Sequence, residues 1–153
     1  MAAFSFMATI RNAEAADVER MMPLVREFYV YEKLELDAVR YRDLALGLIA
    51  NEALGRLLVI ESENELIGYA VIGFGFSFEF GGRDALLDEF YLLEAHRGQG
   101  IGTQVISATE ELCRAKGIRA VHLEADYVNA RVHEFYKRLG FRDHERHLMT
   151  KWI

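Results

Sequence analysis

Six residues restrict this chain more than any other part of it. Arg97-Gly98-Gln99-Gly100-Ile101-Gly102 follows a mostly apolar run ending at Leu93 and opens a stretch with helical periodicity. Strand, glycine-rich turn and helix start, in that order, make an anion cradle from backbone. The first amides of a helix lack carbonyl partners, the helix dipole adds partial positive charge, and glycines let a pyrophosphate come close. Arg97 adds a full charge, so a phosphate-bearing ligand is expected. Spacing then separates the candidates. A P-loop needs Lys and Ser or Thr after its last glycine, whereas Gly102 is followed by Thr103 and Gln104. A dinucleotide fingerprint would take Gly98 and Gly100 and then meet Thr103. It would also sit two thirds of the way along the chain instead of heading a series of βαβ units.

A third pattern is Arg or Gln, two residues, Gly, one residue, then Gly or Ala, and Arg97, Gly100 and Gly102 satisfy it. With this motif the chain resembles the GNAT superfamily of acyl-CoA-dependent N-acyltransferases. A second block, Asn129 to Phe141, is similar to the family's Asn followed seven residues later by Tyr (Tyr136) and a Leu-Gly-Phe close. The resemblance implies one domain over residues 1–153 with the α/β (α+β) GNAT fold. That is a central mixed, mostly antiparallel sheet of six to seven strands flanked by about four helices.

The chain can be read in that order. Thr9–Asn12 is a short strand, and Asp17–Tyr31 carries Val18, Met21, Met22, Val25, Phe28 and Tyr29 at helical spacing. A second helix is expected from about Val39 to Ala50. Arg56–Glu61 and Leu66–Phe76 are β-rich runs joined by the hairpin signal Ser62-Glu63-Asn64-Glu65. Ala85–Leu93 precedes the motif. Ile101, Val105, Ala108 and Leu112 then form an apolar stripe that Gly117 closes. Ala120–Glu124 reads as a strand, Ala130–Leu139 as a helix, and Phe141–Ile153 as the last strands. Pro23 is expected to end or kink the first helix.

Acyl transfer to an amine sets chemical requirements. An alkyl amine has a pKa of about 10, so at neutral pH it arrives protonated and a base must take a proton. Leu87-Asp88-Glu89-Phe90 places two acids in an otherwise apolar strand, and strict alternation would send them to opposite faces. In the family an acid here often serves as the base. Spacing from Arg97 matches Asp88 to the family's usual Glu, with Glu89 as substrate-binding residue or alternative base. The resemblance further implies Tyr136 as the acid for the departing thiolate and direct transfer. A backbone amide, that of Leu92 or a neighbour, would serve the developing oxyanion, and such a donor is worth about 3 kcal/mol in other systems. For acetyl-CoA it implies main-chain contacts at Phe90, Tyr91 and Leu92. The pyrophosphate would lie on Gly98, Gln99, Gly100, Ile101, Gly102 and Thr103 beside Arg97. Asn129 would touch the pantetheine region, serve as a helix N-cap, or both.

The acceptor is less constrained. Tyr29-Val30-Tyr31-Glu32-Lys33-Leu34-Glu35-Leu36 lies where the family places its acceptor, and Tyr29, Tyr31 and Glu32 could hold a cationic amine by carboxylate and ring faces. A solvated acidic loop reads equally well. This stretch, with Leu87–Tyr91, is distantly similar to the polyamine and diamine acetyltransferases. A small primary amine is therefore the expected partner. A protein N-terminus or lysine, or a non-catalytic acyl-CoA sensor, stand as alternatives. The net charge of −6 with no basic run argues against nucleic acid. No run of about 18 apolar residues marks a membrane span. Met1–Phe6 lacks the basic end of a secretory signal, so a cytoplasmic protein is expected. The single cysteine, Cys113, has no nucleophile motif, and His144-x-x-His147 lacks a completing ligand set, so no metal is expected. Phe74, Phe76, Phe78 and Phe80 alternate as one aromatic strand face, which reads as core, as a pocket wall or as a dimer contact, and four aromatics in a row are more than one small core face needs, so a homodimer is expected.

Overall fold

A computed structural model describes residues 8–153, and the expectation placed on Met1–Phe6 lies outside them. The elements in order are β1 (Thr9–Asn12), α1 (Asp17–Tyr31), α2 (Ala38–Ala50), β2 (Gly55–Ser62) and β3 (Glu65–Ser77). They continue with β4 (Gly82–Leu92), a 3-10 turn at Glu94–His96, α3 (Ile101–Ala115), β5 (Ala120–Leu123) and α4 (Ala130–Arg138). The strands lie side by side in sequence order, β1 to β4 antiparallel and β5 parallel to β4. Glu63 and Asn64 both take positive φ, which matches the right-handed twist of the β2–β3 hairpin that their spacing predicts.

Period-two alternation divides the sheet between two cores. Leu57, Val59, Tyr69 and Tyr91 face α1 and α2, where Met21, Met22, Val25, Phe28 and Tyr41 meet them. Leu58, Ile60, Ala70, Ile72, Leu87 and Leu92 face α3, which answers with Ile101, Val105, Ile106 and Cys113. The α3 stripe is turned slightly from the expected one, so that Ile106, Thr109 and Cys113 are buried where Ala108 and Leu112 were expected. At the other end Asp17, 3 % exposed, ties α1 to β1 by accepting from Arg11 (2.6 and 2.9 Å), Arg20 (2.9 Å) and the Glu14 amide (2.8 Å).

Three expectations need correction. The sheet has five strands among the described residues, not six or seven, because the chain after Phe141 forms no ladder. Of the two outcomes expected at Pro23, an end to the helix does not occur, since α1 runs on to Tyr31. Pro23 lies on the exposed side, so the carbonyl of Glu19 that loses its partner faces water while the buried Met21, Met22, Leu24 and Val25 hold the helix. The four phenylalanines do not make one face. β3 stops at Ser77, Phe74 lies under the cations of Arg56, Arg83 and Lys116, and Phe80 packs on His122 at 4.4 Å. Phe76 and Phe78 stand exposed at the β3–β4 tip.

Candidate active site

The site is built by a fault in β4. Glu89 pairs with Val71 and Leu87 with Ile72, so Asp88 is an extra residue with no partner on β3. Such a bulge resets alternation. Leu87 faces the α3 core, and Glu89, two positions on, faces the α1–α2 core with Tyr91. Glu89 is thereby turned to the α1–α2 side, where the phenols of Tyr29, Tyr41 and Tyr69 reach it, and Asp88 is exposed at the bulge. The Asp88 charge raises both the Glu89 carboxyl and the Tyr29 phenol slightly.

The bulge also marks where β4 and β5 part. Their parallel pairing ends at Leu87 and Leu123, leaving Asp88–Leu92 without a neighbour on that edge. Leu93 donates its amide to the Ile67 carbonyl (2.8 Å). In an antiparallel ladder alternate residues then turn inward, so Tyr91 and Glu89 address β3 while Phe90 and Leu92 present amides to the open edge. Main-chain groups on this stretch are thus available to a ligand arm.

Glu89 is the most constrained side chain here. Tyr41 and Tyr69 donate to Oε1 at 3.1 and 2.8 Å, and Tyr29 donates to Oε2 at 3.1 Å. Burial pushes its carboxyl above the usual carboxylate range, the three phenols pull it back, and the Asp88 charge raises it again. The same burial, with the Glu89 charge, raises all three phenols. Of this trio the sequence reading named only Tyr29. Tyr41 and Tyr69 read as core residues at helical and strand spacing, and nothing local marks their hydroxyls as converging on one carboxylate. Tyr91 donates to Glu27 Oε2 (2.7 Å), and burial pushes its phenol up to about 12.

At the turn, Gly98 and Gly100 take φ of 72° and 82°, and a Cβ on either would meet nothing within 4 Å. The cradle is open, and its glycines are required by backbone conformation. Gly100 is the N-cap of α3 without a side-chain cap, so the amides of Ile101, Gly102 and Thr103 are free for an anion. Gly102 has a different task, since a Cβ there would come within 3.0 Å of the Phe135 ring. It lets α4 lie against the start of α3. Arg97 does not reach into the cradle. Its Nε donates to the Leu92 carbonyl (2.8 Å) and its guanidinium rests over the rings of Tyr91 and Tyr31, tying the turn to β4 and α1. Gln99 folds back onto the Ala95 carbonyl (3.0 Å).

The second block is placed across the cleft. Asn129 caps α4 through the Val132 amide and donates from Nδ2 to the Tyr31 hydroxyl, both at 3.3 Å, so the end of α1 touches the start of α4. Tyr136 packs on Phe135 and Phe141 with ring centroids 5.0 and 5.5 Å away, and burial pushes its phenol up to about 12. Glu32 follows α1 as an exposed residue.

The Acetyltransferase (GNAT) family model matches residues 18–141. The chain is 33 % identical to a thialysine N-epsilon-acetyltransferase of Bos taurus, over 88 % of this chain and 84 % of that one. It is 26 % identical to an L-methionine sulfoximine/L-methionine sulfone acetyltransferase of Pseudomonas aeruginosa, over 88 % and 80 %. Among solved structures, an aminoglycoside N-acetyltransferase in complex with CoA superposes with a TM-score of 0.84, covering 99 % of each chain at 15 % identity.

Proposed function

Because the chain belongs to the GNAT acetyltransferase family, we propose that it moves the acetyl group of acetyl-CoA onto the primary amine of a small cationic molecule by direct attack. Acetyl-CoA is the family's donor, and the residues present fit it. The cradle at Gly98 and Gly100 is open, the first α3 amides are free, and β4 presents Phe90 and Leu92 to an added strand-like arm. When bound it supplies an acyl carbon in a thioester, whose C–S bond breaks as the amine nitrogen bonds to that carbon. No site of this kind requires a metal.

The chain's own groups divide the remaining work. Asp88, exposed at the bulge, attracts the ammonium of the acceptor, and Tyr29, Tyr31 and Glu32 border its approach. Glu89 takes the amine proton through Oε2, which holds one phenol where Oε1 holds two. Its raised pKa brings this base nearer to the working pH. The amide of Leu92 or Phe90 faces the charge that develops on the acyl oxygen. Tyr136 addresses the departing sulfur. With its phenol at about 12, complete transfer to a thiolate is uphill, so its contribution is a hydrogen bond more than an early proton. The observation that carries the reading is a half-buried carboxylate under three phenols, beside a second carboxylate and an open strand edge. Relatives named for thialysine and methionine sulfoximine support a small amine that is part of an amino acid.

The test is thiol release from acetyl-CoA against polyamines, thialysine and other amino acids, aminoglycosides and peptides. Turnover with small diamines or amino acids supports the proposal, and turnover with peptides alone assigns a protein acceptor instead. Calorimetric binding of acetyl-CoA without release for any acceptor makes the chain a sensor. Glu89→Gln is expected to lower kcat about 100-fold, whereas Asp88→Asn chiefly raises KM. The reverse pattern exchanges their roles.

A further inference from the structure

Four charges at the end of α1 take no part in the chemistry described above. Arg26, Glu27, Glu94 and Arg97 line a shallow pocket of about 540 Å³ together with the rings of Tyr31 and Tyr91. Among the described residues, none of the four is paired with an opposite charge. Two of them are nevertheless held in place by the same ring. Tyr91 donates its hydroxyl to Glu27 Oε2 (2.7 Å), and the Arg97 guanidinium lies 5.4 Å from the Tyr91 centroid and 5.9 Å from that of Tyr31. Arg97 engages only Nε, on the Leu92 carbonyl (2.8 Å). Its two Nη groups, which together match a carboxylate, make no hydrogen bond among the described residues. A cation fixed on two rings and a carboxylate fixed by a phenol, in one pocket but unpaired, are complementary to a zwitterion.

The same two elements carry this pocket and the carboxylate under the phenols. Tyr29, which donates to Glu89, and Tyr31 are two residues apart at the end of α1, and Glu89 and Tyr91 are two apart on one face of β4. Glu89 also lies three residues before Leu92, the residue that holds Arg97. At about 3.3 Å per residue, that separation is about 10 Å. An α-amine at Glu89 could not leave its own carboxylate on Arg97, because only two bonds separate such groups. A side-chain amine can. With bonds of about 1.5 Å, four linking atoms carry it about 6 Å from its Cα, and a hydrogen bond of about 3 Å at either end closes the gap.

We propose that this pocket holds the head of an α-amino acid, its carboxylate on the Nη groups of Arg97 and its α-ammonium on Glu27, while the amine at the far end of its side chain meets Glu89. The acceptor is then a diamino acid of about lysine length. The inference rests on the acetyl transfer proposed above and leaves its chemistry as it stands. The far nitrogen gives its proton to Glu89 and bonds to the acyl carbon, and the C–S bond breaks with its electron pair on sulfur. A diamine of the same length lacks the carboxylate and leaves Arg97 without a partner.

Thiol release at saturating acetyl-CoA with L-lysine and with cadaverine, which is lysine without the carboxylate, tests this. The protein is expected to favour lysine about tenfold or more in kcat/KM, with the acetyl group on the side-chain nitrogen by mass spectrometry of the product. Arg97→Gln, a change that the motif itself allows, should reduce that ratio about tenfold through the KM for lysine. Because both acceptors use the same donor site, the ratio is blind to any loss at the glycine turn. Glu27→Gln should raise KM for both acceptors, since either can place its second ammonium there, and keep the ratio. Cadaverine used as well as lysine, a ratio that Arg97→Gln leaves in place, or an acetyl group on the α nitrogen overturns the subsite while acetyl transfer to amines stands. Release with neither acceptor, while another amine is acetylated, overturns it too. Release with no amine at all overturns the proposed function along with it.

Discussion

Removing the Tyr69 hydroxyl tests the reading of Glu89 as the base. Tyr69→Phe keeps the ring that packs edge-on against Phe28 at 6.2 Å and deletes the shortest of the three hydrogen bonds to Glu89, at 2.8 Å. A hydrogen bond to a charged group is worth about 1.5–3 kcal/mol, and one pKa unit is about 1.4 kcal/mol. The ionised carboxylate loses that stabilisation. The neutral acid loses a weaker bond from the same phenol, so the net rise in the Glu89 pKa is about 1 unit. Glu89 already stands above the ordinary carboxylate range because of its burial, so the change adds in the same direction. The acid limb of kcat/KM should therefore move to higher pH by about 1 unit, while the plateau above it changes little. Initial rates of thiol release between pH 5 and 9, with a thermal melt to show that the fold survives, measure it. A limb that stays in place would mean that Glu89 does not titrate in the free enzyme's rate-limiting proton transfer. A limb that moves to lower pH would refute the assignment of the phenols as donors to the charged form.

Other perturbations separate roles that share one motif. Tyr136→Phe removes a donor to a charged leaving group and should lower kcat about 10- to 100-fold with acetyl-CoA affinity little changed; an unchanged kcat removes Tyr136 from the chemistry. Gly100→Ala meets no atom within 4 Å but strains φ 82°, so it should weaken acetyl-CoA binding about tenfold in a calorimeter at a cost of about 1 kcal/mol in stability. Gly102→Ala meets Phe135 at 3.0 Å instead, and should lower the Tm more than it lowers affinity. For Asp17 the Arg11 guanidinium holds the carboxyl down at about 2, below an unfolded value near 3.8. Its contribution, about 2 kcal/mol, is complete above that unfolded value and is lost as the pH falls from about 4 to 2. Urea melts of the wild type and Asp17→Asn should converge over that window, and curves that stay parallel would show that the pairing carries no net stability.

What could be read in advance depends on how far each feature reaches along the chain. The cradle is local: six consecutive residues state both the glycines that a left-handed turn requires and the helix start that leaves amides free. The two cores are nearly local, because strand and helix periods name their faces without knowledge of partners. The proposed base is not. Which core Glu89 faces depends on one unpaired residue, Asp88, and a bulge exists only relative to the neighbouring strand. In a regular strand Glu89 would share the face of Leu87, and the register slip between Val71 and Ile72 turns it instead to the α1–α2 core. The same non-locality hides the phenols. Tyr29, Tyr41 and Tyr69 come from two helices and a strand, up to 40 positions apart, each with a sufficient reason to be core on its own. A hydroxyl inside a core needs a partner, so three tyrosines at apolar positions around one acid in a strand form a pattern that can be sought once the strand pairing is known. The chain after Phe141 shows the opposite case. Phe141–Ile153 reads as strand on its own, but a strand is made by its neighbour, and no ladder forms there. Local pattern thus determines which residues can pair or bind a proton, and register determines which of them do.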